Sequence, residues 1–460
     1  RITLRNWFSF IGAPSSRALR EVPLQQSVGD RSPTKDSLSL RSDARLDNPP
    51  GTGSPTVLVS HHRVDPPVDG IEEQSRGLAA RPQQFGAVVR QSGHATTCGS
   101  PAFNGPKRHL TILARDSRMR SVVIGGGVAG LAAAVQLAAD GSTVLLVESR
   151  DTLGGRVRMR DSGTWLLDPG LHLMRRKGPL NQLLRKLRSP RVLGPRWNHR
   201  EMLAIDADAS QALTALATMS MDAERVKRSE FVIPRGGWSS LVGRLIVAAN
   251  QLDVMFDIGR SAESLSLGTD GRISSVRIAG DEIECDEAVL AVPPAESARL
   301  LESAGLDASD LRRCTEQRAA ALDVALEGKP MRPYSGLFDA SRGVIAIDAT
   351  TEDRIPEGTD PAACTILHAV SLAGDGPEAL QGIKEFLDSR CSGWRNMAAA
   401  RRSTTSILLH PCSPSERVDG SAFIDSGIAM AGCHVISEHH LSDAAVDTGR
   451  SAAKALKLTR

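Results

Sequence analysis

A glycine-rich loop between an apolar strand and an alanine-rich helix constrains the fold of this chain more than any other feature. Residues 121–124 are mostly apolar and β-branched, which predicts a strand buried on both faces. Residues 131–139 predict a helix, residues 143–147 predict a second strand, and Glu148 follows that strand directly. The loop before the helix carries the glycines of a G-x-G-x-x-G motif, namely Gly125, Gly127 and Gly130. In this order the elements predict a βαβ unit that binds a dinucleotide.

Each glycine of this motif has its own physical role. Gly125 permits the tight turn after the strand, and Gly127 lets the backbone approach a pyrophosphate without a Cβ in the way. Gly130 allows the helix to pack closely against the strand. The helix start at Val128 and Ala129 offers unpaired N–H groups and a partial positive charge to phosphates. These five residues are therefore candidates for the cofactor site.

The acid at the end of the second strand completes the fingerprint. Glu148 can accept hydrogen bonds from both ribose hydroxyls of an adenosine, and its charge would repel a 2′-phosphate, which argues against NADP. We place Ser149 in the same site. The first motif alone does not decide whether the bound dinucleotide is NAD or FAD.

Composition limits the remaining possibilities. A chain of 460 residues is too long for one ordinary core and predicts two or three structural units. Its 56 basic and 53 acidic residues leave a formal net charge of +3, which argues against a nucleic-acid partner. The 7 cysteines include no C-x-x-C pair, which argues against a disulfide scaffold and favours a reducing, cytoplasmic compartment. The sequence contains no run of about 20 apolar residues, so it predicts no transmembrane helix.

Residues 1–118 differ in character from the rest of the chain. They contain Pro-Pro pairs, scattered Gly and Ser and isolated charges, without a lasting apolar period. Such a stretch buries too little surface to offset ordering costs of ~1–2 kcal/mol per residue, so we expect a disordered leader. Residues 1–20 have the Arg- and Ser-rich, acid-free composition of a transit peptide. We favour the alternative that the leader is not native, because the first methionine, Met119, directly precedes the first strand.

A second glycine motif follows the acid. Gly154 and Gly155 are adjacent, and Arg156 comes directly after them. Together with the first motif, these residues make the chain resemble the FAD-dependent amine oxidoreductase superfamily, which includes monoamine oxidases, protoporphyrinogen oxidase and phytoene desaturases. In that family the second motif and its Arg pack beneath the flavin and its pyrophosphate. The resemblance therefore implies FAD as the cofactor.

Other segments extend the resemblance. Residues 165–172 look like the D-x-G-x-H segment of the phytoene-desaturase branch, and residues 234–238 resemble the P-x-G-G turn before a helix, here predicted at residues 241–249. The resemblance implies that the backbone near Ala262 holds the adenine. It also implies that the closing segment contacts the flavin, through Gly432, Cys433, Leu441, Asp443 and Ala444.

The chain also departs from the family pattern. The family has an Asp that hydrogen-bonds the flavin chain at the position of Cys433, so this bond is in doubt. Residues 175–231, the first substrate region, are short and basic. A basic stretch is usually a solvated helix face, and contact with a membrane surface or an acidic substrate is the alternative.

Histidines raise the question of a metal site. His172, His434, His439 and His440 lack a carboxylate or Cys at ligand spacing, so solvated or capping roles are favoured and no metal is predicted. No catalytic side chain is assigned, because the flavin supplies the reactive atom in this chemistry.

We therefore predict an α/β fold in which a Rossmann-type FAD-binding domain is interleaved with a smaller mixed α+β substrate domain. The FAD-binding domain comprises residues 119–174, 232–294 and 427–460, and the substrate domain comprises residues 175–231 and 295–426. The predicted activity is oxidation or desaturation of a C–H bond of a hydrophobic or amine-bearing small molecule, by hydride transfer to flavin N5. The alternatives are an FAD-binding partner module without turnover and an NAD-linked dehydrogenase.

Overall fold

The structure is a computed structural model. It describes residues 119–157, 160–162, 164–167, 170–171, 173–187, 193–207, 211 and 230–459. The predicted leader at residues 1–118 lies outside the described residues, as do Asp168 and His172 of the D-x-G-x-H segment.

A five-stranded parallel sheet contains the glycine motif. Its strands are β1 (Arg120–Ile124), β2 (Thr143–Glu148), β9 (Met255–Ile258), β13 (Glu287–Leu290) and β19 (Ile428–Met430), in the order β19-β13-β1-β2-β9. The helix α1 (Val128–Ala139) connects β1 to β2. The strands are rich in Val, Ile and Leu because both faces of the sheet are covered. The predicted α/β fold of Rossmann type is confirmed.

Two different layers cover this sheet. On one face lie α1, α3 (Gly237–Gln251) and α7 (Leu441–Leu458). On the other face lie α4 (Pro294–Ser303) and an antiparallel sheet of β10 (Ala262–Leu267), β11 (Ile273–Ile278) and β12 (Asp281–Glu284). Side chains alternate accordingly, with Val123 towards the helices and Val122 and Ile124 towards the second layer.

A six-stranded mixed sheet forms the second part of the fold. Its order is β18 (Ala398–His410), β14 (Gln317–Leu326), β17 (Thr365–Ser371), β16 (Val344–Asp348), β15 (Gly336–Asp339) and β7 (Met202–Ile205). One face packs against α6 (Pro377–Arg390). We call the opposite face, which carries Ala321, Val370 and Ile407, the inner face.

Shorter elements complete the described structure. A hairpin of β3 (Arg160–Ser162) and β4 (Trp165–Leu167) follows the second glycine motif. A small antiparallel sheet joins β5 (Met174–Arg175), β8 (Phe231–Pro234) and β6 (Leu193–Trp197). The remaining helices are α2 (Pro179–Lys186) and α5 (Ser309–Arg312).

Two helices are longer than predicted, for local reasons. The helix α1 begins at Val128 because the carbonyl of Gly127 already accepts a hydrogen bond from the Leu131 N–H, at 2.9 Å. The helix α3 begins at Gly237 because Gly236, at φ +65°, turns the chain into it. The domain boundaries proposed from the sequence stay a prediction. Among the helices described here, none combines the length and apolar character needed to cross a membrane.

Candidate cofactor-binding site

The two glycine motifs meet backbone to backbone. Gly127 and Gly154 form an isolated parallel bridge, and the Gly154 N–H donates to the Gly126 carbonyl oxygen at 2.9 Å. A Cβ on Gly155, which has φ +59°, would lie 3.1 Å from the Gly127 Cα. The absence of side chains therefore lets the two loops approach each other closely. We call this pair of loops the glycine cradle.

Gly125 and Gly130 allow the close approach inside the first loop. A Cβ on Gly130 would lie 1.8 Å from the Gly125 carbonyl oxygen, which no real contact permits. A Cβ on Gly125, at φ +110°, would lie 2.5 Å from the Ala291 carbonyl oxygen. Both positions thus need glycine for the packing of the protein itself.

Gly127 is different, because an added Cβ would make only an ordinary van der Waals contact with the described protein. Its backbone is extended, at φ −75° and ψ −179°, and the nearest atom to an added Cβ is the Gly155 Cα at 3.9 Å. Gly127 is also the N-cap of α1, where no side chain caps the helix and no acid occupies the first turn. The amide groups of Val128 and Ala129 at this helix start have no intrahelical acceptor. The cradle therefore fits the pyrophosphate of a dinucleotide, by both shape and charge.

Glu148 lies beside the cradle at the carboxyl end of β2, and its side chain is buried. Its Oε2 accepts a hydrogen bond from the Gly126 N–H at 2.7 Å, and its Oε1 accepts one from the Arg150 N–H at 3.0 Å. The hydroxyl of the exposed Ser149 lies 3.4 Å from Oε1. Because an ionised carboxylate offers about four lone-pair sites, it keeps capacity for hydroxyl donors of a ligand.

Arg156 connects the second glycine motif to the six-stranded sheet. Its Nη1 donates to the Leu409 carbonyl oxygen at 2.9 Å, and its Nη2 donates to the Cys433 Sγ at 3.0 Å. The Cys433 thiol in turn donates to the Leu441 carbonyl oxygen at 3.1 Å. The structure thus brings Arg156, Cys433 and Leu441 together, and the thiol satisfies both neighbours by acting as donor and acceptor.

Asp443 and Ala444 lie deeper, inside the first turn of α7. The buried Asp443 Oδ1 accepts from the Leu180 N–H at 3.1 Å, so this carboxylate caps the start of α2. Burial raises the pKa of Asp443 above its usual value. The Ala444 carbonyl accepts from the Thr448 hydroxyl at 2.7 Å, and that hydroxyl also accepts from the Gly432 N–H at 2.9 Å. These contacts join the start of α7 to α2 and to Gly432.

Ala262 lies at the start of β10. It is buried, and its carbonyl accepts a hydrogen bond from the Arg299 guanidinium at 2.8 Å. The chain passes Glu148 just before this point, where the Gly259 N–H donates to the Glu148 carbonyl oxygen at 2.8 Å. Gly259 and Leu409 are neighbours of the site that the sequence did not predict. Gly259 could have been expected near the site only from its position directly after β9, the parallel strand that pairs with β2. No sequence signal indicates Leu409.

Two buried histidines report the electrostatics next to Arg156. Burial, with the nearby Arg156 charge as the next cause, lowers the pKa of His434 to about 4 and that of His410 to about 3. Both imidazoles are therefore neutral at pH 7. Within the described part of the chain, Arg156 forms no ion pair, so its positive charge is not cancelled by a carboxylate. In the same described residues, no group of three or more His, Cys, Asp or Glu side chains is arranged to hold a metal ion.

Comparisons with known proteins agree with this geometry. Residues 123–187 match the family of NAD(P)-binding Rossmann-like domains. A 15-cis-phytoene desaturase of Narcissus pseudonarcissus is 34% identical over 111 residues, which are 20% of this chain and 19% of the desaturase. An oxidoreductase of Methanosarcina mazei has a TM-score of 0.60 at 12% identity, covering 73% of this chain and 100% of that one. Cyclohexylamine oxidase of Brevibacterium oxydans has a TM-score of 0.54 at 15% identity, covering 75% and 100%.

These likenesses define the class of fold. Residues 123–187 match the NAD(P)-binding Rossmann-like domain family, and the fold of the chain is similar to that of these two oxidoreductases. The segment matched by the curated desaturase spans about a fifth of that protein's length, 19%.

Proposed function

We propose that this chain is an FAD-dependent oxidoreductase that oxidises or desaturates a C–H bond of a hydrophobic small molecule. The observation that carries the proposal is the glycine cradle beside the uncapped start of α1. An added Cβ at Gly127 would make only an ordinary contact, with the Gly155 Cα at 3.9 Å, so the approach of a pyrophosphate explains this glycine better than the packing of the protein does.

Residues around the cradle would hold the cofactor. The Gly127 backbone and the Val128 and Ala129 amides would face the pyrophosphate, and the Glu148 carboxylate would accept from the adenosine ribose. The resemblance to the superfamily implies that Arg156 and Cys433 lie near the flavin. When bound, FAD supplies the hydride acceptor, so the protein needs no strictly catalytic side chain.

The residues of the chain would position the cofactor and exclude water from the site. Arg156 fixes the cradle against β18 through the Leu409 carbonyl. Leu409 and Ile407 belong to the apolar cluster on the inner face, which also contains Phe231 and Ile233. Such a surface excludes water from one side of the site and favours contact with an apolar substrate.

Charge distinguishes two substrate classes within this proposal. Burial first, and the Arg156 charge second, lower the pKa values of His410 and His434, so the surroundings of Arg156 disfavour a second positive charge. A protonated amine would meet the same repulsion, whereas a neutral hydrocarbon would not. The site therefore supports a neutral, isoprenoid-type substrate over an amine.

Two rival functions predict different chemistry. An NAD-linked dehydrogenase would have no use for the second glycine motif in the cradle. An FAD-binding partner module without turnover would hold the cofactor but would not exchange electrons with a small molecule. The FAD-binding module without turnover is the rival that Cys433 favours, because Cys433 stands where the family has an Asp.

An anaerobic reduction screen tests the proposal. Purified protein loaded with FAD is mixed, without oxygen, with neutral isoprenoids, with primary amines, or with NADH, and the flavin absorption is followed. We expect bleaching by a neutral hydrophobic compound and none by amines. Bleaching by NADH alone would favour a nicotinamide-linked enzyme, and a flavin that no small molecule reduces would favour the inert partner module.

A further inference from the structure

A buried chain of three polar side chains crosses the inner face of the six-stranded sheet. Asp323 of β14 and His368 of β17 are directly opposite each other in register, and neither is exposed. The His368 Nδ1 lies 2.6 Å from the Asp323 Oδ1. The Arg354 Nη2 lies 2.8 Å from the His368 Nε2, and Arg354 is 1% exposed. We call these three residues the polar relay, and none of them belongs to the cofactor site described above.

The chemistry of arginine fixes the protonation of the polar relay. A guanidinium is always protonated and can only donate, so the His368 Nε2 must be the acceptor. The imidazole proton therefore sits on Nδ1 and is donated to Asp323. His368 is neutral and connects a buried carboxylate to a buried guanidinium.

Asp323 and Arg354 both bind the backbone of one segment, and Arg354 also binds a carbonyl outside that segment. The Gly170 N–H donates to the Asp323 Oδ1 at 3.2 Å. The Arg354 Nε donates to the Leu166 carbonyl oxygen at 3.2 Å, and its Nη1 donates to the Ala349 carbonyl oxygen at 3.1 Å. Leu166 and Gly170 belong to the chain that leaves the second glycine motif through the β3–β4 hairpin.

That same segment is attached to the sheet at its other end. Arg156, at the glycine cradle, donates to the Leu409 carbonyl of β18, and β18 pairs with β14, which carries Asp323. Near the polar relay, a Cβ on Gly170 would lie 3.3 Å from the Ile407 side chain of β18. Arg156 and Gly170, at the two ends of this segment, are thus both hydrogen-bonded to the six-stranded sheet.

We propose that Asp323, His368 and Arg354 are positioning residues that set the placement of the inner face relative to the glycine cradle. The proposal rests on the proposed function, in which a substrate on the inner face must lie close to a cofactor held by the cradle. A misplacement of about 1 Å lowers such rates about 100-fold. A buried carboxylate and a buried guanidinium are by themselves weak evidence of stabilisation, so a role in placing the segment is the better reason for their backbone contacts.

The first test needs neither cofactor nor substrate. In the full chain, ¹⁵N NMR of His368 is expected to show a neutral ring with the proton on Nδ1, and the Gly170 amide is expected to exchange slowly with solvent. Asp323→Ala removes the acceptor and is expected to speed Gly170 exchange at least about tenfold. Asp323→Asn keeps an acceptor oxygen and is expected to restore the protection. Arg354→Lys is the variant to use if Asp323→Ala does not fold. A lysine ammonium cannot replace the planar guanidinium that donates to Leu166, Ala349 and His368.

The second test separates positioning from mere stability. Thr365→Val is the matched control, since Thr365 is equally buried in β17 and its hydroxyl donates to the Gly328 carbonyl at 2.7 Å, away from the segment. With FAD bound, Arg354→Lys is expected to slow flavin reduction about tenfold or more with KM little changed, whereas Thr365→Val changes it less than about twofold.

The outcomes are distinguishable from failure of the proposed function. A charged His368, unchanged Gly170 exchange in both Asp323→Ala and Arg354→Lys, or equal slowing in Thr365→Val would overturn the positioning role. A wild-type protein that binds no flavin would overturn the proposed function. The exchange and NMR results would still test the contacts of the polar relay, because they need no cofactor.

Discussion

The glycines of the first motif are needed for two different reasons, which the sequence spacing alone does not distinguish: the packing of the protein and the approach of a ligand. Gly130 is needed because a Cβ would strike the Gly125 carbonyl, whereas a Cβ on Gly127 would make only an ordinary contact, with the Gly155 Cα at 3.9 Å. The motif predicted both positions, because the spacing encodes the turn and the helix start together. It could not predict the partners of Arg156, since Leu409 and Cys433 are 253 and 277 positions away in the chain.

Glu148→Ala tests the acid at the end of β2. Each charge-assisted bond to a ribose hydroxyl is worth ~1.5–3 kcal/mol, so we expect FAD to bind about 10- to 100-fold more weakly per bond lost. The variant also leaves the Gly126 and Arg150 amides without their acceptor, which should lower the unfolding free energy. Fluorescence titration of FAD measures the affinity, with Glu148→Gln as the control that keeps one acceptor. An unchanged affinity in the alanine variant would contradict the assignment.

Cys433→Asp tests the main departure from the family. The carboxylate would keep a bond from Arg156 but would set an acceptor against the Leu441 carbonyl, where the thiol donates. We expect the free energy of unfolding to fall by ~1–3 kcal/mol without tighter FAD binding. Cys433→Ser keeps both bonds and should behave like the wild type. Chemical denaturation and calorimetric titration of FAD check the pair, and tighter FAD binding by the Cys433→Asp variant would show that the closing loop follows the family path.

At the element scale, the buried strands and the helices beside them were predictable, whereas their ends were not. The apolar runs of β1 and β2 and the alanines of α1 leave few alternatives. The true starts of α1 and α3 depend on backbone angles at Gly127 and Gly236, which composition does not reveal. The six-stranded sheet depends on strands distant in sequence, such as β7 beside β15, so its order could not be predicted from local patterns.

Gly243→Ala tests the helix α3 as an element. Gly243 lies within Gly237–Gln251, and an added Cβ would have no atom within 4 Å. Replacing glycine by alanine in a helix interior is worth ~0.5–1 kcal/mol, so we expect the unfolding free energy to rise by about that amount. Denaturant titration measures it, with FAD affinity unchanged because α3 carries none of the proposed cofactor contacts. A loss of stability would mean that α3 packs differently around this position.

At the scale of the whole molecule, the buried histidines make folding sensitive to acid. His410 and His434 have pKa values lowered to about 3 and about 4, so below pH ~6.5 the unfolded chain binds more protons than the folded one. Their contribution to stability is therefore complete above pH ~6.5 and falls as pH drops, by roughly 1.4 kcal/mol per pH unit for each histidine. Thermal unfolding between pH 7 and pH 5 measures this slope, and His410→Asn should flatten it. An unchanged slope would show that His410 is accessible to protons in the folded state.

If the glycine cradle holds FAD, the purified protein contains flavin, and its flavin content can be measured directly. After denaturation, the released flavin is identified and counted for the wild type, for Gly127→Val and for Gly243→Ala. We predict about one FAD per chain in the wild type and in Gly243→Ala, and almost none in Gly127→Val, whose side chain would fill the cradle without straining the backbone. Gly127→Val that folds normally and still carries a full complement of FAD would contradict the account.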